Sequence, residues 1–348
     1  MAITRLLQTG FEWSTVEFLA LFPNIIATAP SVYSIGAFTD SYLGEWEANE
    51  EGVYTNPLGS AIVQCRIGFH LHAQTTGSGD NILIAGLGKT DHTTEIISLY
   101  YDEDAAGLEL FAGATSLGTY AYDMSYPGRW THFGIDVKID GAAGWAYVYI
   151  EGEQVIGFSG DTNDGGADFD VLVIGPNAAG QNWTAKMRMD DLYWDDTTGE
   201  GAAAVVPKKR FYWIQPNGNG NYADWDGSDG NQVNNYQLID DFHGLSTTDY
   251  VESQVAAEFD SYALAAAPSD DINTITAVIP FVYAIDDGAG GPDSISIGTR
   301  LGGTDLMGAD IALPTSYGIV FERQTTKPGG GAWTTTDIDS TELVIESA

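Results

Sequence analysis

The chain has 348 residues, with 13 Lys and Arg against 49 Asp and Glu, giving a formal net charge of −36. At roughly 100 to 200 residues per domain this length fits two domains. The 44% of hydrophobic residues exclude a disordered chain, and a surface this acidic repels the phosphates of nucleic acid and anionic membrane. No run reaches the roughly 20 apolar residues of a membrane-spanning helix. The single cysteine, Cys65, excludes an intramolecular disulfide framework and a cysteine zinc cluster.

The 42 glycines and 12% aromatic residues point to a turn-rich β protein. The opening Met1 to Gln8 has one basic residue and no apolar core, so a signal peptide is not expected. Thr15 to Phe22 is compatible with a helical turn or two; no long amphipathic helix is expected, which argues against a doubly wound nucleotide-binding fold. Strands are expected at 61–69, 81–87 and 95–101, then at 107–111, where Leu108 and Leu110 share one face and Glu109 points away. Over 129–139 the alternation is clean, with Phe133, Ile135, Val137 and Ile139 on one side and His132, Asp136 and Lys138 on the other. A turn at 140–144 leads into 145–150, where Trp145, Tyr147 and Tyr149 share a face, and Glu151-Gly152-Glu153 turns the chain into 154–158. Strands about ten residues apart, with turn chemistry between them, predict an all-β sandwich.

The clearest boundary lies near 197–208, where a small, polar stretch meets Pro207-Lys208-Lys209-Arg210, the one basic cluster of the chain. This predicts a first β domain over 1–200, a linker over 201–210 and a smaller β domain over 211–348. In the latter, a loop of Asn, Gly and Asp at 216–235 precedes strand-like pieces at 249–259, 272–283, 294–301, 317–323 and 343–346.

Trp130-Thr131-His132-Phe133-Gly134-Ile135-Asp136-Val137, followed by Tyr147-Val148-Tyr149-Ile150-Glu151-Gly152, resembles the laminin-G-like, concanavalin A-like jelly-roll superfamily. The stretch Met187-Arg188-Met189-Asp190-Asp191-Leu192-Tyr193-Trp194 is similar to that family's last core strand. Residues 5–196 carry this likeness, which implies a jelly-roll sandwich. A narrower resemblance, running nearly the full length, is to structural proteins of tailed-bacteriophage particles. It rests on Leu6 to Glu12, Gly107 to Leu110, Asp190 to Gly199, Gln215 to Gly220, Thr248 to Val251 and Ala332 to Thr334, in that order. It implies a virion component made in the host cytoplasm.

The jelly-roll resemblance also raises a glucanase, which needs two carboxylates about 5 Å apart. Glu45 with Glu47 and Glu151 with Glu153 have a suitable spacing, but turn or strand-edge charges explain them as well, and no enzyme is expected. Asp224, Asp226 and Asp229 are spaced as calcium's oxygen cage would like, although Asp229 stands where an EF-hand loop requires glycine and Asn235 cannot chelate bidentately. Asp190 and Asp191 are further calcium candidates, because laminin-G-like domains often hold calcium at the rim; the alternative is one aspartate capping within the sheet and one solvated. His70 and His72 share a strand face without a third ligand at a suggestive spacing, and His132 reads as a hydrogen-bonded structural residue.

Nine Trp, 18 Tyr and 14 Phe leave aromatics to spare for a binding surface. Trp183, Trp194, Trp213, Trp225 and Trp333 lie beside polar loops and are candidates for a glycan platform or a protein interface. The expected function is a non-enzymatic structural subunit displayed in many copies on a tailed-phage particle, as a head decoration or tail accessory protein, touching other virion subunits and itself. The alternative is a tail adhesin that binds host-surface glycans through the jelly roll, and a glycan hydrolase is the remote one. Calcium is the one cofactor considered, and neither nucleic-acid binding nor membrane insertion is expected.

Overall fold

The computed structural model describes residues 53–55, 57–74, 81–89, 94–124, 129–175, 186–240, 247–268, 272, 274–288 and 290–348, and the backbone of segments 4–9, 24–25, 31–33 and 43–46. The expected helical turn at 15–22 lies outside the described residues. The protein is all-β and divides into two compact units, Met1–Tyr212 and Trp213–Ala348.

The first unit contains β1 (Thr4–Thr9), β2 (Asn24–Ile25), β3 (Ser31–Tyr33), β4 (Leu43–Trp46), β5 (Val53–Tyr54), β6 (Gln64–Gln74), β7 (Ile82–Gly88), β8 (Glu95–Asp102), β9 (Gly107–Ala112), β10 (Thr115–Ala121), β11 (Thr131–Lys138), β12 (Gly144–Ile150), β13 (Glu153–Gly160), β14 (Val171–Ile174) and β15 (Lys186–Asp196). They form two antiparallel sheets. The front sheet runs β13-β12-β11-β6-β15-β4-β3, with β1 also on β15, and the back sheet runs β10-β9-β8-β7-β14-β5-β2. Alternate residues of each sheet fill the space between them, including Cys65, Ile67, Phe69 and Leu71 of β6, Phe133, Ile135 and Val137 of β11, and Leu99, Tyr101, Leu108 and Leu110 of the back sheet. Phe69 and Phe133, opposed in register, stack at 5.6 Å and 4°. Between β12 and β13, Glu151 and Gly152 have φ of 54° and 89°, the two left-handed residues of a tight hairpin turn.

The expected linker, 201–210, is part of this unit. Residues 197–212 join neither sheet and form a strap over the outer face of the front sheet. Arg66 donates to Glu200 Oε2 at 2.8 Å and to the Gly201 carbonyl at 2.9 Å. Buried Asp136 accepts the Ala203 N–H at 2.6 Å, and Phe211 N–H donates to Asp191 Oδ1 at 2.8 Å. The basic island closes the strap: Lys208 pairs with Glu151, while Lys209 meets Asp195 at 3.0 Å and lies 4.0 Å over the Tyr193 ring.

The second unit contains β16 (Pro216–Ala223), β17 (Asp226–Gly227), β18 (Val251–Glu252), β19 (Phe259–Leu264), β20 (Phe281–Ala284), β21 (Ser294–Leu301), β22 (Thr304–Met307), β23 (Ile311–Ala312), β24 (Gly318–Phe321), the short helix α1 (Thr335–Ile338) and β25 (Thr341–Ser347). Its main sheet runs β16-β19-β25-β21-β22, with β23 on β21, and two ribbons pair β17 with β18 and β20 with β24. Trp225, Tyr262, Ile295, Ile297, Val320, Leu343 and Ile345 form its core. Asp260, 1% exposed, is tolerated there because Tyr262 Oη, Asn235 Nδ2 and the Ser261 N–H all donate to it, at 2.7, 2.8 and 3.0 Å. Helix α1 starts with a capping box between Thr334 and Asp337.

Candidate functional site

The tryptophans chosen from their polar sequence neighbours do not form one platform. Trp194 is 1% exposed and packs in the sandwich core with Phe169, at 6.4 Å between rings. Trp225 and Trp333 are buried in the second unit, where their indole N–H groups donate to the Glu258 and Gln324 carbonyls at 3.1 and 3.2 Å. Trp213 is half-buried and meets Phe281 edge-on at 4.7 Å, and Trp183 lies outside the described residues. For Trp194 the cause is simple: on a strand, polar sequence neighbours belong to the opposite face, so they say nothing about whether the ring itself is exposed.

Of the three aspartates at 224–229, two are engaged locally. Asp224 accepts the Phe259 N–H at 3.2 Å, Asp229 accepts the Asn231 N–H and side-chain amide at 3.2 and 2.6 Å, and exposed Asp226 lies on the two-residue strand β17. Asp190 and Asp191 are both buried, with Asp190 Oδ1 accepting the Asp191 N–H at 2.8 Å, so neither is the solvated member expected of the pair. Among the described residues, no three His, Cys, Asp or Glu side chains come together as a metal site. Glu151 is held by Lys208 and by the His132 N–H at 2.8 Å.

His70, His132 and Asp191 meet on the outer face of the front sheet. His70 Nδ1 lies 3.2 Å from Asp191 Oδ2, and the His70 and His132 rings are 5.1 Å apart. His72 instead packs against Trp130 at 5.5 Å. His132 was expected to be hydrogen-bonded, yet neither of its ring nitrogens has a partner among the described residues. Burial, reinforced by His70 and Lys208, lowers its pKa from 6.5 to about 3. The folded state therefore favours the neutral ring: the stability this contributes is intact above pH 6.5 and is lost as pH falls from 6.5 toward 3. The unfolding midpoint of the wild type is expected to drop more steeply over that range than that of a His132→Phe variant. Parallel pH profiles would remove His132 as the source.

The back sheet presents a different outer face. In β8 and β9, Ser98 lies opposite Phe111 and Tyr100 opposite Glu109, and these four point away from the core that Leu99, Tyr101, Leu108 and Leu110 fill. Tyr100 and Phe111 are half-buried and meet edge to face at 5.9 Å and 86°. Glu95 folds over this face, accepting from Tyr100 Oη at 2.6 Å and from Ser98 Oγ. The carboxylate of half-buried Glu109 makes no hydrogen bond to a described residue. Beside the pair, on the same outer face, Leu83, Val171 and Val173 form a small buried apolar cluster, with Tyr54 and Tyr100 packed on it. Two aromatic rings with a carboxylate on either side can stack on the C–H face of a sugar and accept its hydroxyls. Neither aromatic stood out in the sequence; only Glu109 pointing away from Leu108 and Leu110 was legible.

No protein-family model and no curated protein matches this chain. Among solved structures, the cellulose-induced protein Cip1 aligns over 56% of this chain and 100% of its own length, at 12% identity and a TM-score of 0.42. The Bacillus subtilis carbohydrate-binding module CBM66 aligns over 48% of this chain and 91% of its own, at 9% identity and a TM-score of 0.33. The ligand-binding domain of botulinum neurotoxin serotype D, solved with N-acetylneuraminic acid, aligns over 46% of this chain at 14% identity and a TM-score of 0.36. The chain spans 40% of that domain and 19% of a similar sialidase. The likeness is one of β-sandwich fold alone.

Proposed function

We propose that the first unit is a non-catalytic glycan-binding sandwich that uses the outer face of its back sheet. The observation that supports this most is the Tyr100–Phe111 pair between Glu95 and Glu109, half-buried on a face that the strap does not cross. A pyranose would stack on the Phe111 ring while its hydroxyls donate to Glu109 and Glu95. No acid–base pair is assigned, because Glu95 is already engaged by Tyr100 and Ser98 and no bond-breaking partner is needed for binding. Display on a tailed-phage particle rests on the sequence resemblance, and in that setting the module would act as an adhesin.

The test is a glycan array probed with the labelled full chain, followed by calorimetry on any hit. Phe111→Ala is expected to weaken binding about tenfold, the 1 to 1.5 kcal/mol of an aromatic contact. Glu109→Gln should weaken it less. Absence of any glycan ligand, or a hit that Phe111→Ala leaves unchanged, would overturn the assignment. Release of new reducing ends from a bound glycan would overturn its non-catalytic part.

A further inference from the structure

On the outer face of the front sheet, two glycines flanked by two tyrosines form a groove that seats the strap. Gly68 of β6 and Gly134 of β11 are opposed in register, with Tyr193 of β15 beside Gly68 and Tyr149 of β12 beside Gly134. A Cβ at Gly134 would lie 2.4 Å from Val206 Cβ, and one at Gly68 would lie 2.3 Å from the Tyr193 ring, so the floor exists because both residues are glycine. Val206 of the strap fills this floor and is 0% exposed. The flanking tyrosines donate to strap carbonyls, Tyr149 to Ala203 at 2.5 Å and Tyr193 to Pro207 at 2.6 Å. The groove thus reads an extended segment by one buried β-branched side chain, two carbonyls and two lysines that meet Glu151 and Asp195.

These contacts join strap side chains and carbonyls to groups of the front sheet, and none depends on the strap belonging to the same molecule. The strap enters through Gly199, with φ of 86°, and Gly201, around whose Cβ position no atom lies within 4 Å. These are two adjustable backbone points ahead of the docked segment. The strap also holds the one basic cluster of a chain with net charge −36, which is what two acidic molecules need in order to associate. We propose that the groove is an exchange site, and that residues 202–211 of one copy dock into the groove of a second copy, giving a strap-swapped oligomer. Exchange preserves the contacts that residues 202–211 make in the closed form and gives up those of Arg66 with Glu200 and Gly201 at the hinge.

Chains carrying Glu151→Cys and chains carrying Lys208→Cys, mixed, unfolded and refolded together, test this with a short bismaleimide. The expected result is a cross-linked heterodimer on a denaturing gel, together with a twofold mass by light scattering at high concentration. Wild-type chain, whose Cys65 is buried, controls for background linkage. The double variant at high dilution should link within one chain and so verifies that the strap docks as described. Val206→Asp should abolish the dimer while circular dichroism still reports a folded sandwich. A monomer at every concentration, or a dimer that does not cross-link between 151 and 208, would overturn the proposal.

Discussion

Replacing Trp194 with alanine is expected to destabilise the first unit by about 3 to 5 kcal/mol, the range for removing a large aromatic from a packed core. The indole is 1% exposed between the sheets and packs against Phe169 in the same cluster as Ile67 and Met189. The close-packed surroundings relax only partly into the vacated volume, so a cavity remains. Chemical denaturation followed by far-UV circular dichroism measures the loss. A change below about 1 kcal/mol would mean that the ring is peripheral, and would return Trp194 to the list of binding candidates.

Asp136→Ala is expected to act as strongly and by a different route. Asp136 is 0% exposed, and its two oxygens accept Arg66 Nε at 3.2 Å and the Ala203 N–H at 2.6 Å. Burial pushes its pKa up, while the Ala203 amide and Arg66 oppose that push. Removing the carboxylate leaves the Arg66 Nε–H and the Ala203 N–H without their acceptor, while Glu200 and Gly201 still hold the rest of the guanidinium; about 3 to 5 kcal/mol is the usual loss on breaking a buried pair. Because Asp136 holds both Arg66 and the strap, the strap should open first. Trypsin, which cuts after Lys208, Lys209 and Arg210, gives a direct readout, and cleavage there is expected to accelerate about tenfold or more in the variant. Asp136→Asn keeps an acceptor for Ala203 and should lose less. Equal tryptic rates in wild type and Asp136→Ala would show that the strap is anchored elsewhere.

How much was legible varies with how local the cause is. Strand β11 could be read because Phe133, Ile135 and Val137 alternate with His132 and Asp136 over an unbroken stretch, and the structure places the first three in the core. The turn at Glu151-Gly152 was equally readable, since its chemistry is contained in two residues. Strand β15 was not readable in the same way. Met187 and Met189 point into the core, then Leu192 and Trp194 do, because a bulge at 190–193, with Asp191 at φ 53°, shifts the phase from odd to even positions. Alternation alone therefore could not place Trp194. Strand β16 was expected as loop because Asn and Gly disfavour strands. It forms because its glycines allow close approach: a Cβ at Gly220 would lie 2.2 Å from Ser261 Oγ, and the Asn221 N–H reaches Glu342 at 2.8 Å.

The sequence by itself determined the class of this protein: its composition, its glycine-punctuated strands and their period of two force two antiparallel β units, since each alternating strand must bury one face against another. Tertiary structure decided where function can reside. The small, polar stretch at 201–210 carries the marks of a linker in composition, yet it is fixed by a glycine floor, two tyrosines and two carboxylates drawn from β6, β11, β12, β15 and the turn after β12. Likewise Tyr100, Phe111, Glu95 and Glu109 come together only when β8 and β9 pair in one particular register. Hydrophobic period is a property of neighbouring residues, whereas a site is made by groups that only the pairing of distant strands brings together.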